Sequence, residues 1–337
     1  MKQGANKKKV AVYTATGCRT CEHAMVDLHY EVNPLTHWAE VVFWPYLLGS
    51  AWEDLNGEGR VDVCFFAGAV QTADDQAAAV RLRDKSQILV AVGACAAFGG
   101  LPGLANLSPT GPQPEAAPEP SPEMPPLPPL LPKVLALGSV VPVDYVVPGC
   151  PPTPPLLWAA FQAVAGLGTA PARLGYAASR LPGPVAEALA AGVLPPRGSV
   201  FAGDKAVCAS CSRVKEEKLF RRVLRPHQAY EESGRCLLEQ GLICQGVATR
   251  EGCGGLCTAV GIPCRGCFGK PPAIVDPGAK MVAAISSTID SSDAEEIARL
   301  AEDFVDLAGT FYRYLLPSQC LLMATPMTVG KHEDHNP

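Results

Sequence analysis

The stretch from Cys208 to Cys267 holds eight of the chain's 14 cysteines. They run Cys208-x2-Cys211, Cys236, Cys244, Cys253-x3-Cys257 and Cys264-x2-Cys267. Eight thiols are enough for two four-ligand metal centres. The short pairs let a single turn of backbone present two ligands to one centre. A second set lies upstream at Cys18, Cys21, Cys95 and Cys150. Each follows an apolar run, and Gly17, Gly93 and Gly149 beside them would let backbone approach a bulky ligand closely. Three sets of four thiolates suit soft centres, zinc or iron–sulfur. Zinc is the simple reading of any isolated C-x2-C pair. Here Cys236 and Cys244 stand singly on long loops, and the upstream set draws on three separate segments. Ligation spread over loops in this way favours an all-thiolate iron–sulfur centre.

The elements that must position these thiols are legible as apolar runs. Lys9–Tyr13, Val61–Phe66, Ile88–Val92 and Val143–Val147 read as buried strands, and Pro45 ends any strand in the apolar Val41–Tyr46 segment. Ala24–Tyr30, Thr72–Lys85 and Leu156–Val164 read as helices between or after them, and Val134–Leu137 as a short helix. Alternating strands and helices predict a parallel sheet with right-handed crossovers. Ligands of such sheets bind beyond the carboxyl ends of the strands, where Cys18, Cys21, Cys95 and Cys150 fall.

Between Leu101 and Pro132 the proline density predicts an irregular excursion. Ala165–Gly203 reads as a connection with one helix at Pro184–Ala191. Beyond the cysteine block, Ala279–Ile289 is predicted helical. Ser292-x2-Glu295 resembles a capping box opening one amphipathic helix over Asp293–Tyr314, and the tail from Lys331 is predicted disordered.

The 337 residues carry a net charge of −5, which gives no reason to expect nucleic acid. No apolar run is long enough to cross a bilayer, and Val10–Tyr13 is too short for a signal peptide. The expected location is the cytoplasm, where 14 cysteines read as metal ligands before disulfides. Cys64, in mid-strand, reads as apolar filling, and Cys320 has no partner pattern. The six histidines, His23 and His29 among them, show no ligand spacing. Trp44, Tyr46 and Trp52 are a candidate aromatic contact patch, with ordinary core packing the equal alternative. Glu22, directly after Cys21, is a candidate proton relay; pairing with Arg19 or with backbone N–H groups is the structural alternative.

Cys18-x2-Cys21, Gly-x-Cys95-x3-Gly-Gly and Pro-Gly-Cys150-Pro-Pro resemble the proximal-cluster pattern of nickel–iron hydrogenase small subunits, a pattern shared with a complex I cluster subunit. The C-terminal block is similar to the distal and medial cluster region of the same family. Cys208 stands where the periplasmic branch has histidine, and Cys257 where that branch often has proline. Leu238–Cys244 and Gly261–Gly269 look most like the cytosolic, group 3, viologen-reducing branch, with sulfhydrogenases close behind. The family often has an acidic residue where this chain has Ala67.

The resemblance implies three 4Fe–4S clusters. The proximal one would take Cys18, Cys21, Cys95 and Cys150; the medial one Cys253, Cys257, Cys264 and Cys267; the distal one Cys208, Cys211, Cys236 and Cys244. It implies a large nickel–iron partner subunit and a flavin or iron–sulfur acceptor subunit. The expected architecture is α/β: a flavodoxin-like doubly wound parallel sheet over 1–170, a linker over 171–203, a loop-rich iron–sulfur domain over 204–270, and C-terminal helices and tail over 271–337. An electron-transfer subunit of a complex I-like module is the alternative. Its counterpart there has tandem cysteines at the first site and lacks the C-terminal block.

Overall fold

A computed structural model describes residues 7–31, 39–112, 127–165, 181–216, 220–228, 231–304 and 306–319. The strands are β1 (Lys8–Thr14), β2 (Ala39–Phe43), β3 (Val61–Ala67), β4 (Val70–Thr72), β5 (Ser86–Val92), β6 (Leu130–Leu135), β7 (Tyr145–Val147) and β8 (Ser199–Val200). Six of them form one sheet in the order β2-β1-β3-β5-β7-β8, with every pairing parallel. Counting only these six, the order is 2-1-3-4-5-6. That is the flavodoxin-like arrangement, whose order reverses between the first and third strands.

The sheet is covered on both faces, which is why its central strands read as unbroken apolar runs. Successive side chains alternate between faces. Val10, Val12, Val63, Phe65, Val90 and Val92 pack beneath the helices Thr20–Glu31 and Pro154–Ala165. On the opposite face, Ala11, Cys64, Phe66, Leu89 and Ala91 pack with Ala79 and Leu82 of helix Ala73–Lys85.

Several elements differ from the sequence expectation, each for a local reason. Val134–Leu137 is not helical. Leu130–Leu135 is a strand paired antiparallel with β4, and a 3-10 turn follows at Leu137–Ser139. Pro132 is tolerated because this two-stranded ladder lies outside the main sheet. Pro45 does end β2, and it also opens the short helix Pro45–Leu48, where its missing N–H costs nothing. Ser199–Val200, inside the weakly patterned connection, adds the sixth sheet strand.

The long C-terminal helix is two helices, Ala294–Glu302 and Leu307–Phe311. The Asp306 side chain accepts the Gly309 N–H at 2.7 Å, so a new cap starts there and the ladder breaks before it. Ser292 does not cap the first helix; Asp293 does, accepting from the Glu295 N–H at 2.9 Å. Cys320 and the tail from Lys331 lie outside the described residues, as does the His29 side chain.

Beyond the sheet the chain becomes loop-rich. Among the described residues its 204–270 stretch contains 3-10 turns at Val207–Ala209, Leu238–Gln240 and Gln245–Ala248 and one short helix, Leu256–Ala259. A small core of Phe220, Ala248, Met281, Ile285 and Phe311 joins these loops to helix Pro277–Ser286.

Candidate metal centres

The first thiols are placed by the carboxyl ends of β1, β5 and β7. β1 ends at Thr14, and Arg19 adopts a left-handed conformation (φ 60°) that starts the next helix at Thr20. Cys18 lies before this turn with its Sγ 3.1 Å from Thr20 Oγ1, and Cys21 sits within the first helical turn. Cys95 occupies the short helix Gly93–Phe98 after β5. Cys150 follows β7, and the two loops are tied by the Ala94 N–H donating to Gly149 O at 2.7 Å.

Glycine is required here sterically. A Cβ on Gly93 (φ 83°) would collide with Cys21 Sγ, and one on Gly100 (φ 58°) would lie 2.5 Å from Cys95 Sγ. The four thiols are mutual neighbours. Burial, then the negative charge of Cys95, Cys150 and Cys18, pushes the Cys21 thiol up to about 12. Burial, then Cys150 and Cys18, pushes Cys95 up to about 11.

The C-terminal thiols form a second and a third group. Burial, then Cys236, Cys211 and Cys264, raises Cys208 to about 11. Cys244 is raised to about 12, first by burial, with Cys208 and Cys236 contributing. Cys236 is fixed by its N–H donating to Val214 O at 2.7 Å. The Cys211 Sγ lies 3.2 Å from Thr258 Oγ1. Burial is the largest cause of the upward shift at Cys267, followed by Cys264, Cys253, Cys150 and Cys257.

The groups adjoin one another. The Cys264 N–H donates to Cys244 Sγ at 3.3 Å. Phe98, in the Cys95 helix, packs on Gly269, two residues after Cys267, where a Cβ would lie 2.5 Å from the ring.

Among the described residues no three His, Cys, Asp or Glu side chains converge as closely as a single metal ion needs. A tetrahedral zinc site holds its sulfurs about 2.3 Å from the ion. These groups are all-thiol, and a Cβ on Gly93, Gly100 or Gly246 would reach the sulfur of Cys21, Cys95 or Cys208. Thiolates so buried and so close to one another repel unless a cationic centre lies between them. An all-thiol donor set of this kind suits an iron–sulfur centre.

Glu22 is 1% exposed, and the Trp44 Nε1–H donates to its Oε1 at 2.9 Å. Its Oε2 is buried without a protein partner. Arg19 does not pair with it; that guanidinium lies over the Tyr46 ring at 4.6 Å. The three aromatic residues do not form one surface patch. Trp44 is buried and Trp52 packs on Tyr13 and Phe43, whereas Tyr46, Leu47 and Leu48 are exposed beside the Cys18 turn. His23 stacks on Tyr46. Cys64 lies fully buried in the sheet core.

One residue with no signal in the sequence reaches the thiols. Tyr314, from the C-terminal segment, has Cys150 and Cys267 as electrostatic neighbours.

Similarity to known proteins extends over nearly the whole chain. The family described as NADH ubiquinone oxidoreductase, 20 Kd subunit, matches residues 18–164, the stretch that contains the first four thiols. The iron-sulfur subunit of the F420-non-reducing hydrogenase of Archaeoglobus profundus is 30% identical over 92% of this chain and 96% of its own length. A subunit of the F420-non-reducing hydrogenase of Methanothermobacter thermautotrophicus is 31% identical over 97% of this chain and 99% of its own. The delta subunit of the NAD-reducing hydrogenase HoxS of Cupriavidus necator is 28% identical over 43% of this chain and 73% of its own. Among solved structures, an NAD+-reducing NiFe-hydrogenase chain aligns with TM-score 0.40 at 30% identity, over 48% of this chain and 92% of that one. A NiFeSe-hydrogenase chain from Dm. baculatum aligns with TM-score 0.47 at 18% identity, over 80% and 96%. With full-length relatives at this identity, the chain belongs to the nickel–iron hydrogenase small-subunit family, alongside its relatives from the F420-non-reducing hydrogenases.

Proposed function

We propose that this subunit carries electrons between the nickel–iron site of a large partner subunit and a further flavin or iron–sulfur subunit, through three 4Fe–4S clusters. Cys18, Cys21, Cys95 and Cys150 would hold the proximal cluster. Cys253, Cys257, Cys264 and Cys267 would hold the medial one, and Cys208, Cys211, Cys236 and Cys244 the distal one. Each bound cluster supplies one-electron storage at its quartet, at a potential set by ligand type, hydrogen bonds to sulfur and burial.

The observation that carries this reading is the grouping of twelve thiols into three sets that adjoin end to end. Cys267 neighbours Cys150, and Cys264 touches Cys244. All-cysteine ligation suits low potentials and hence a low-potential acceptor. We further propose that 1–170 and 204–270 act as the proximal and the medial–distal units, joined through 171–203, with 271–337 as C-terminal helices and tail. The proposed location is the cytoplasm; among the described residues no helix is long and apolar enough to cross a membrane.

The family match over 18–164 favours a second reading, an electron-transfer subunit of a complex I-like module. The C-terminal thiol block has no part in that match. Anaerobic purification of the native complex decides. We expect a nickel-containing large subunit to co-purify and about twelve irons per chain, at about four per four-thiolate site. Zinc in place of iron, or an iron-loaded chain with no nickel partner and no dihydrogen turnover, overturns the proposal. A high-potential three-iron signal in paramagnetic resonance overturns the all-4Fe–4S assignment.

A further inference from the structure

Thr258 directly follows Cys257, yet its hydroxyl lies against a cysteine of the other C-terminal group. The residue is 2% exposed. Its Oγ1 donates to Gly255 O at 2.9 Å and lies 3.2 Å from Cys211 Sγ. Gly255 belongs to the loop between Cys253 and Cys257. A Cβ there (φ 70°) would come within 3.4 Å of Cys211 Cα and Ser210 O, so the two loops touch at this point. Arg213, two residues after Cys211, fastens the contact from the other side. Its Nε donates to Thr258 O at 2.5 Å, and its Nη1 to Arg235 O, beside Cys236, at 3.1 Å.

A hydroxyl has one proton to donate. While Cys211 is a thiol, its S–H donates to Oγ1 and the hydroxyl proton stays on Gly255 O. A thiolate that ligates a metal centre only accepts, so sulfur and carbonyl then compete for that proton. Gly255 O also accepts the Ala259 N–H at 2.9 Å, so it keeps a partner when the hydroxyl turns away.

We propose that Thr258 is a positioning residue that turns its hydroxyl onto the Cys211 sulfur when the distal group is loaded, and so raises the distal potential. A hydrogen bond to a ligand sulfur favours the more negative, reduced state. The proton stays on the Thr258 oxygen throughout, so none is transferred with the electron. The backbone of Thr258 belongs to the Cys253–Cys267 group. One group in the proposed path thus supplies the donor that favours reduction of the next. The inference rests on the proposed assignment of Cys257 and Cys211 to two different clusters.

The test is Thr258→Val, which keeps the shape and removes the hydroxyl, beside Thr258→Ser, which keeps the hydroxyl. Both are made in the anaerobically purified complex and followed by redox titration under paramagnetic resonance. In the Val variant we expect the distal midpoint to move to lower potential, with iron content and the proximal midpoint unchanged. The Ser variant should titrate as wild type. Electron–nuclear double resonance of the reduced protein should lose one exchangeable proton coupled to the distal centre in Val and keep it in Ser. A fully loaded Val variant with the wild-type distal midpoint and proton couplings overturns the proposal. Should Val lose iron, the coupling is read in the wild-type complex by deuterium exchange, and absence of any exchangeable proton at the distal centre overturns it. Failure of the assignment itself has its own signature: fewer than three separate cluster signals in the wild-type complex, before residue 258 is changed.

Discussion

Glu22 is the buried carboxylate nearest the first thiol group, and its two oxygens are used unequally. Oε1 accepts the indole N–H of Trp44 at 2.9 Å, while Oε2 has no partner among the described residues. A buried acceptor without a donor costs stability, on the order of 1–3 kcal/mol. The residue sits one position after Cys21 and beside the turn that presents exposed Tyr46, Leu47 and Leu48. We propose that a proton passes between this buried carboxyl and a large subunit docked over that turn. Glu22→Gln keeps the Trp44 hydrogen bond and the volume but removes the titrating proton. We expect dihydrogen turnover and hydrogen–deuterium exchange to fall by about 10²-fold or more, the usual scale for a lost acid–base group. Iron content and reducibility by dithionite should stay at wild-type levels. Turnover that matches the wild type would remove Glu22 from the proton path.

At the scale of elements, the link between sheet and thiols is a capping network. Thr72 Oγ1 accepts the Asp75 N–H at 3.0 Å, and Asp75 Oδ2 accepts the Thr72 N–H at 2.9 Å, closing both sides of a capping box. The same Asp75 oxygen accepts the Thr16 hydroxyl at 2.8 Å, two residues before Cys18. Helix Ala73–Lys85 therefore holds the loop that delivers the first cysteine pair. Asp75→Ala should lower stability by about 2 kcal/mol, from the lost cap and the lost charged hydrogen bonds. Thermal melting of the anaerobic complex reads this as a lower Tm; an unchanged Tm would mean the network is incidental. The helix and the parallel strands are legible in the sequence because burial on both faces makes β3 and β5 continuous apolar runs. The Thr72–Asp75 box is harder to see, since its acid is the shorter Asp where the usual pattern has Glu or Gln. The two- and three-residue strands β4 and β8 are hidden, since so short an edge has no period to detect. β6 is hidden by Pro132, and the break at Asp306 by a hydrophobic spacing that runs straight across it. The cysteine pairs stand out because their spacing is written locally, with glycines beside them; their sorting into quartets comes from the family resemblance. The place of Tyr314 does not stand out, because its carbonyl is held by the Gly100 N–H, far away in the chain.

Over the whole molecule the three thiol groups follow a single line of contacts. Cys150 of the first group neighbours Cys267 of the third, and Cys264, three residues before it, donates its N–H to Cys244 of the second. Cys264 also neighbours Cys208, so the middle group touches two members of the far one. The loop-rich region is oriented for this by Phe98 on Gly269 and by the Arg250 N–H on Gly269 O at 2.8 Å. Sequence order does not match spatial order: the group latest in sequence, Cys253–Cys267, adjoins both of the others. An electron arriving at the sheet edge would therefore have to cross the Cys253–Cys267 group before reaching the Cys208–Cys244 group. Replacing both Cys253 and Cys257 by Ser should remove about four irons of about twelve and leave the outer two groups loaded. Mixing that complex with dihydrogen and freezing it at intervals separates the two halves of the path. The proximal signal should appear at the wild-type rate, and the distal signal should lag far behind it, although dithionite still reduces both. If the distal signal keeps pace with the proximal one, electrons do not need the middle group, and the end-to-end order of the three centres is wrong.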